Sequence, residues 1–415
     1  MEEKALKPSL RFKGFTDTWD QRKLGQIISK GGSGGTPTST NSEYYNGDIP
    51  FLSITDITNS DGYIYVTEKS ITELGLNNSS AWILPKESIS LAMYASVGKV
   101  AILKENIATS QAFYNLVIDD LRTRNFVFQY LKKMDINKEW NSLISTGTQA
   151  NLNAEKVKEL QVKFPNDIEE QSKIGSIFSS IDSLITLHQR KYDKLVNIKK
   201  ALLNKMFPKN DEVVPKMRFK GFTDAWEQCK FSVLADVKRG LTYKPTDVVS
   251  NGIRVLRSSN INEDYFEKRE DDVFVSQGAI NIDYVKSGDI LITSANGSSR
   301  LVGKHAIIDK IADNSAVHGG FMLLARTNHS HFLNASMSSR WYERFINLNV
   351  AGGNGAIGNL SKSNLDEYEI LAPSNNEKSK IGELFQSIDS LNTLHQRKYD
   401  KLVHIKRALL QKMFV

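Results

Sequence analysis

Three glycines, Gly353-x-Gly355-x-x-Gly358, have the spacing of a dinucleotide-binding fingerprint, in which glycines let the backbone approach a pyrophosphate. That motif needs a helix to open directly behind it, and Asn359-Leu360-Ser361 does not start one. The matching positions in the first half of the chain are Ser145, Gly147 and Ala150, so the pattern is no part of a shared fold. A glycine-rich loop is expected there. No Walker A sequence occurs. Nor does an Asn/Asp-Pro-Pro-aromatic tetrapeptide of the kind amino-methyltransferases use. His329-x-His331 has no further ligands at metal-binding spacing, so no metal site is expected. Ser, His and Asp form no catalytic signature. The residues give catalysis no support.

What remains is recognition. Loops rich in Arg, Lys, Asn, Gln, Ser and Thr carry the donors and acceptors that read base edges. In the first half the candidates for DNA contact are Thr36, Thr38, Tyr44, Lys99, Gln111, Thr148 and Gln149. In the second half, Arg239, Tyr243 and Lys244 form one group and Arg254, Arg257, Ser258 and Asn260 another. Asn296, Arg300 and Lys304 complete the set. Tyrosines can lie against sugar or base. Arg254, Arg257 and Arg300 can donate two parallel hydrogen bonds to guanine or to phosphate.

These loops sit inside a duplicated frame. Arg11-Phe12-Lys13-Gly14-Phe15-Thr16-Asp17 returns 207 residues later as Arg218-Phe219-Lys220-Gly221-Phe222-Thr223-Asp224, and Trp19 returns as Trp226. Ile181–Phe207 returns as Ile388–Phe414 with four differences, at 185/392, 197/404, 200/407 and 204/411. The segments between have diverged, with short matches surviving at Val97-Gly98-Lys99 and Val302-Gly303-Lys304, and at Asn151-Leu152 and Asn359-Leu360. A repeated frame predicts a pseudo-two-fold molecule. Different contents predict that the halves touch different things.

The long repeats read as helices of about 38 residues. Ile174, Ile181, His188, Leu195 and Leu202 fall seven apart, with Ile177, Leu184 and Ile198 three residues on. The second repeat has Ile381, Ile388, His395, Leu402 and Leu409, with Leu384, Leu391 and Ile405. This is a heptad seam, and Ile181, Leu184, His188 and Leu195, with Ile388, Leu391, His395 and Leu402, are the expected seam and docking residues. Antiparallel pairing would bring His188 and His395 together. Ser374-x-x-Glu377 and Asn166-Asp167-x-x-Glu170 mark the starts, and Pro208 stops the first helix.

The net charge of +7 is concentrated in these repeats, each with six Lys/Arg against two Asp. A basic face of that kind suits phosphates. Hydrophobic content of 40% is that of a globular chain. Cys229 is the single cysteine, which fits a reducing cytoplasm. MEEKALKPSL does not read as a signal peptide, and no run is long enough to span a membrane.

The organisation resembles the specificity subunit of type I restriction–modification systems over essentially the whole chain. Four features carry the likeness: the doubled Arg-Phe-x-Gly-Phe-Thr-Asp-x-Trp, the doubled IDSLITLHQRKYDKL-type helix, Gly34-Gly35-Thr36-Pro37 followed by Tyr44–Phe51, and Gly147-Thr148-Gln149-Ala150-Asn151-Leu152. The second half departs from it with Arg239-Gly240-Leu241-Thr242 in place of Gly-Gly-Thr-Pro. The resemblance implies an α/β (α+β) fold with two similar target recognition domains, 1–164 and 209–372. Two helices, 165–208 and 373–415, would separate them as an antiparallel coiled coil. It implies that each domain reads one half of a split, asymmetric sequence in double-stranded DNA, and that the helices dock two modification subunits. S-adenosylmethionine, ATP and Mg are expected on partner subunits, restriction subunits among them, and no cofactor on this chain. The alternatives are a non-enzymatic protein–protein scaffold and a single-chain DNA-modification enzyme.

Overall fold

The computed structural model describes residues 6–144, 151–209, 212–350 and 358–415. Two compact units emerge: unit 1 is Met1–Arg190 with His395–Val415, and unit 2 is Lys191–Leu394.

In unit 1 the apolar runs Ile89–Ala92 and Val100–Leu103 are buried throughout, as strands covered on both faces must be. They lie in a five-stranded sheet, in the order Lys30–Ser33, Phe113–Val117, Ile89–Ala92, Val100–Leu103, Tyr63–Ile64. A four-stranded sheet follows the order Lys69–Ile71, Tyr45–Leu52, Ile107–Thr109, Ile83–Leu84. Parallel and antiparallel pairs are mixed, so the domain is α+β and not a wound parallel sheet. The helix Leu121–Ile136 starts where the Asp120 side chain accepts from the Arg122 and Thr123 amides. It lays Phe126, Val127, Tyr130 and Leu131 into the core.

Unit 2 repeats the plan. One sheet runs Asp236–Arg239, Met322–Arg326, Ile290–Thr293, His305–Ile307, and the other Val248–Val249, Val273–Val275, Ile253–Leu256, Ala316–His318. The short Val-Gly-Lys match is a turn in both units, with Gly98 at φ +89° and Gly303 at φ +85°. The amide of Ala92 donates to Lys99 O at 2.8 Å, and that of Thr293 to Lys304 O at 2.9 Å. Gly358 lies in a two-residue strand opposite Asn296 and opens no helix, whereas Gly353 and Gly355 fall outside the described residues.

The repeated Arg-Phe-Lys-Gly-Phe motif closes each unit. Arg11 grips Glu170 with Nε and Nη2, at 2.7 and 2.6 Å, and its Nη1 donates to Asp17 O. Arg218 grips Glu377 in the same way, at 2.8 and 2.6 Å. Trp19 then packs edge-on against Phe126 and Phe414, with Phe178 in the same cluster. In unit 2 the counterparts Trp226 and Phe385, with Phe332, gather around Phe207. The motif therefore ties the start of one long helix to the end of the other, which explains why motif and helices are duplicated together.

The long helices are Ile168–Met206 and Asn375–Met413, 39 residues each and about 58 Å long. The Asp167 carboxylate caps the first by accepting from the Glu169 amide, and Ser374 Oγ caps the second by accepting from Glu377. Within unit 1, Asp182 meets Lys406, and His188 Nδ1 lies 2.9 Å from His395 Nδ1, so the paired segments run antiparallel. One imidazole donates and the other accepts. Asp182 accepts from Lys406 at 2.5 Å and from Lys132 and Gln129 at 3.2 Å. Burial would push the Asp182 carboxyl up, but the two lysines outweigh it and hold it below the usual carboxylate range. Burial pushes Lys406 down to about 8. Unit 2 has the equivalent pair, Lys199 with Asp389 at 2.8 Å.

One seam row differs from expectation. Ile181 and Ile388 are buried, and His188, His395, Leu195 and Leu402 are half-buried. Leu184 and Leu391, however, are 43% and 44% exposed. The buried row Ile174–Phe178–Ile181 faces the unit's own core, and this turns the row of Leu184 outward.

Candidate nucleic-acid interface

In unit 2 four segments, 241–243, 257–258, 295–297 and 319–322, come together at one site. They enclose a cleft of about 610 Å³ lined by Thr242, Tyr243, Arg257, Ser258, Asn296, Gly297, Gly319, Gly320 and Phe321, among others. Gly240 makes this possible. A Cβ there would fall 1.9 Å from Gly319 O, and at the equivalent Gly34 a Cβ would fall 1.9 Å from Thr109 O. The departure from Gly-Gly-Thr-Pro is thus at two positions: Gly35 becomes Leu241, buried in a small apolar cluster, and Pro37 becomes Tyr243, packed against that cluster. The threonines are kept. Thr36 Oγ1 donates to Gln111 Oε1 at 2.6 Å, and Gly320 stands beside Thr242 where unit 1 has Gln111.

The structure sorts the expected contact residues. Tyr243, Arg257, Ser258 and Asn296 share the cleft. Asn296 donates to Ser258 Oγ at 3.0 Å and accepts from the Ser298 amide, which fixes both loops. Arg257 donates to Asp271 O, and its Nε is buried without a partner among the described residues. Arg239, Lys244 and Arg300 are exposed on segments flanking the cleft, and Arg300 has no ion-pair partner among the described residues.

Two residues of the set serve the fold instead. Asn260 is fully buried. It accepts from the Arg257 amide and donates to Glu267 O and Asp272 Oδ1, as a loop brace. Its equivalent Asp56 braces Ser53 in unit 1. Arg254 pairs with the buried Asp272 and lies over the Phe274 ring. Lys304 lines a separate pocket with Glu263, Asp264 and Glu343. In unit 1, Thr36, Thr38 and Gln111 are exposed, Lys99 is paired with Asp135 at 2.8 Å, and Tyr44 is half-buried against Gly75. Thr148 and Gln149 lie outside the described residues. Sequence reasoning passed over Thr242, Phe321 and Tyr94. Among the described residues no group of three or more His, Cys, Asp or Glu could hold a metal ion, and no helix is long and apolar enough to cross a membrane.

The frame and its loops now stand beside known proteins. The family model of the type I restriction modification DNA specificity domain matches residues 16–197 and again 224–404. The chain belongs to that family. The MjaIX specificity subunit of a type I restriction enzyme from Methanocaldococcus jannaschii is 30% identical over 230 residues, 54% of this chain and 52% of the relative. That match spans about half the relative's length. The MjaVIII specificity subunit from the same organism is 22% identical over 416 residues, 95% of this chain and 91% of the relative. The type I restriction–modification S subunit from M. genitalium has a TM-score of 0.69 at 15% identity and covers 99% of both chains. At that identity the likeness shows the fold. The expectation of a specificity subunit, not an enzyme, agrees with the names these relatives carry.

Proposed function

We propose that this chain is the DNA-reading subunit of a type I restriction–modification complex. Each unit reads one half of a bipartite, asymmetric duplex target. The observation that carries this reading is the contrast between a frame whose Arg–Glu grip and Asp–Lys helix pair recur in both units and loops that are not repeated. Asn296–Ser258 and Thr36–Gln111 brace the loops of their units with different chemistry. A shared frame with unlike loops suits two unlike half-sites. The natural domain limits on this reading are 1–164 and 209–372, with the helices 165–208 and 373–415 as spacers.

The spacers also dock two modification subunits. Unit 1 exposes Leu184, Leu187, Val403 and Ile405, and unit 2 exposes their repeat equivalents Leu391, Leu394, Val196 and Ile198. Two identical apolar faces suit two copies of one partner. Those partners carry S-adenosylmethionine and methylate adenine, and restriction subunits add ATP- and Mg-dependent translocation and cleavage. Methylation-sensitive sequencing of DNA from cells with and without the chain tests the proposal. A bipartite methylated motif should appear only with the chain. Methylation by the purified chain alone would make it an enzyme. Unaltered methylation in its absence would leave a protein scaffold.

A further inference from the structure

Phe321 is an exposed aromatic on a glycine-walled cleft whose lining mixes apolar side chains with Thr242, Arg257, Ser258 and Asn296. It is 71% exposed. Its backbone is nevertheless pinned: the amides of Ser294 and Ala295 both donate to Phe321 O, at 2.9 and 3.1 Å. In unit 1 the same ladder position is Ala112, whose carbonyl accepts from the Met93 amide at 2.8 Å. In unit 1 an aromatic stands instead on the facing segment, just beyond the strand Ile89–Ala92. Tyr94, 40% exposed, stands where unit 2 has Ala295. Each unit thus carries an exposed aromatic at one or the other of two residues that face each other across the same hydrogen-bond ladder.

Leaving such a ring in water forfeits the stabilisation that burial would give it, and among the described residues it belongs to no hydrophobic core cluster. Beside the apolar Leu241, Ala295 and Met322, the cleft wall carries Thr242, Arg257 and Asn296, and the segments that continue from it carry the exposed cations Arg239 and Arg300. That setting favours DNA over an apolar protein partner. A phenyl ring has neither donor nor acceptor. In a duplex groove it can meet the thymine 5-methyl group without unstacking any base, whereas insertion between bases must break a stacking step.

We propose that Phe321 is a specificity-determining residue that recognises one thymine of the half-site read by unit 2, through its 5-methyl group in the major groove. This rests on the DNA-reading function proposed above. The test uses the chain assembled with its modification subunits, on oligonucleotide duplexes carrying the motif found by methylation-sensitive sequencing. Phe321→Ala should keep the wild-type melting temperature, because the ring is exposed. It should bind the motif about tenfold more weakly and accept other bases at one position of one half-site. Deoxyuridine for thymidine at that position should reproduce the loss in the wild-type complex and add nothing in the Phe321→Ala complex. Unchanged affinity and selectivity in Phe321→Ala would overturn the assignment. So would weaker recovery of modification subunits with DNA selectivity intact. A loss that deoxyuridine fails to reproduce would overturn the methyl contact. If the wild-type complex itself showed no sequence preference, it is the DNA-reading function that would fail.

Discussion

Arg254 and Arg257 are three residues apart and both donate to the 269–272 turn, but among the described residues only Arg254 forms an ion pair there. Arg254 neutralises Asp272, a carboxylate with no side-chain exposure. Arg254→Ala leaves that charge buried and unpaired, which costs about 3–5 kcal/mol. It should appear as a lower melting temperature with or without DNA. Arg300 is exposed outside the loop braces. Arg300→Ala should keep the melting temperature and weaken binding, uniformly across sequences if it holds phosphate and at one position if it reads a base. His318 adds a pH dependence to unit 2. It is buried on the sheet, its Nε2 donates to Lys238 O, and burial pushes it down to about 4. The unfolded imidazole takes a proton near pH 6.5 and the folded one does not. Stability from this group is therefore full above pH 6.5 and falls as pH drops toward 4, by on the order of 3 kcal/mol. Thermal melts of wild type and His318→Asn across that range should show a shallower acid decline in the variant; parallel curves would contradict it. The residue types of the loops were legible in the sequence, but their accessibility was not. Asp272 consumes Arg254 from 18 residues away, and Asn260 is spent on a brace, relations that tertiary contacts alone create.

At the scale of elements, the heptad spacing and caps predicted both long helices, and His188 meeting His395 agrees with the antiparallel reading. The charge pairs went unseen because one Asp and one Lys among many show no period. They should matter more than the histidines. The Asp182 side chain is 5% exposed between two lysines, whereas that of Asp389 is 39% exposed. Asp182→Asn should therefore destabilise by about 3–5 kcal/mol and Asp389→Asn by no more than about 1 kcal/mol. Equal losses in chemical denaturation would refute this difference in burial. The outward row of Leu184 and Leu391 was assigned to the seam because a heptad count cannot tell a partner helix from a domain core. Both are apolar, and here the core claimed the Ile174–Phe178–Ile181 face.

For the whole molecule, the proposal makes the helices a ruler. Asp182 and Lys199 are 17 positions apart, as are Asp389 and Lys406, so any lengthening must be matched in both helices. Four residues inserted after Arg190 and four after Leu394, where the chain passes between units, leave the contacts inside each unit in place. Each helix grows by about 6 Å. At about 3.4 Å per base pair, the unspecified gap in the target should widen by about one or two base pairs, with both half-sites unchanged. An active variant with the original gap would contradict the ruler. The central claim, that each unit reads its own half-site, is tested most directly by exchange. Residues 15–164 are replaced with the equivalent segment of another family member, and methylated motifs are sequenced in cells. The account predicts that one half of the motif changes to the donor's and the other half stays as it was. A motif altered in both halves, or in neither while methylation persists, would contradict it.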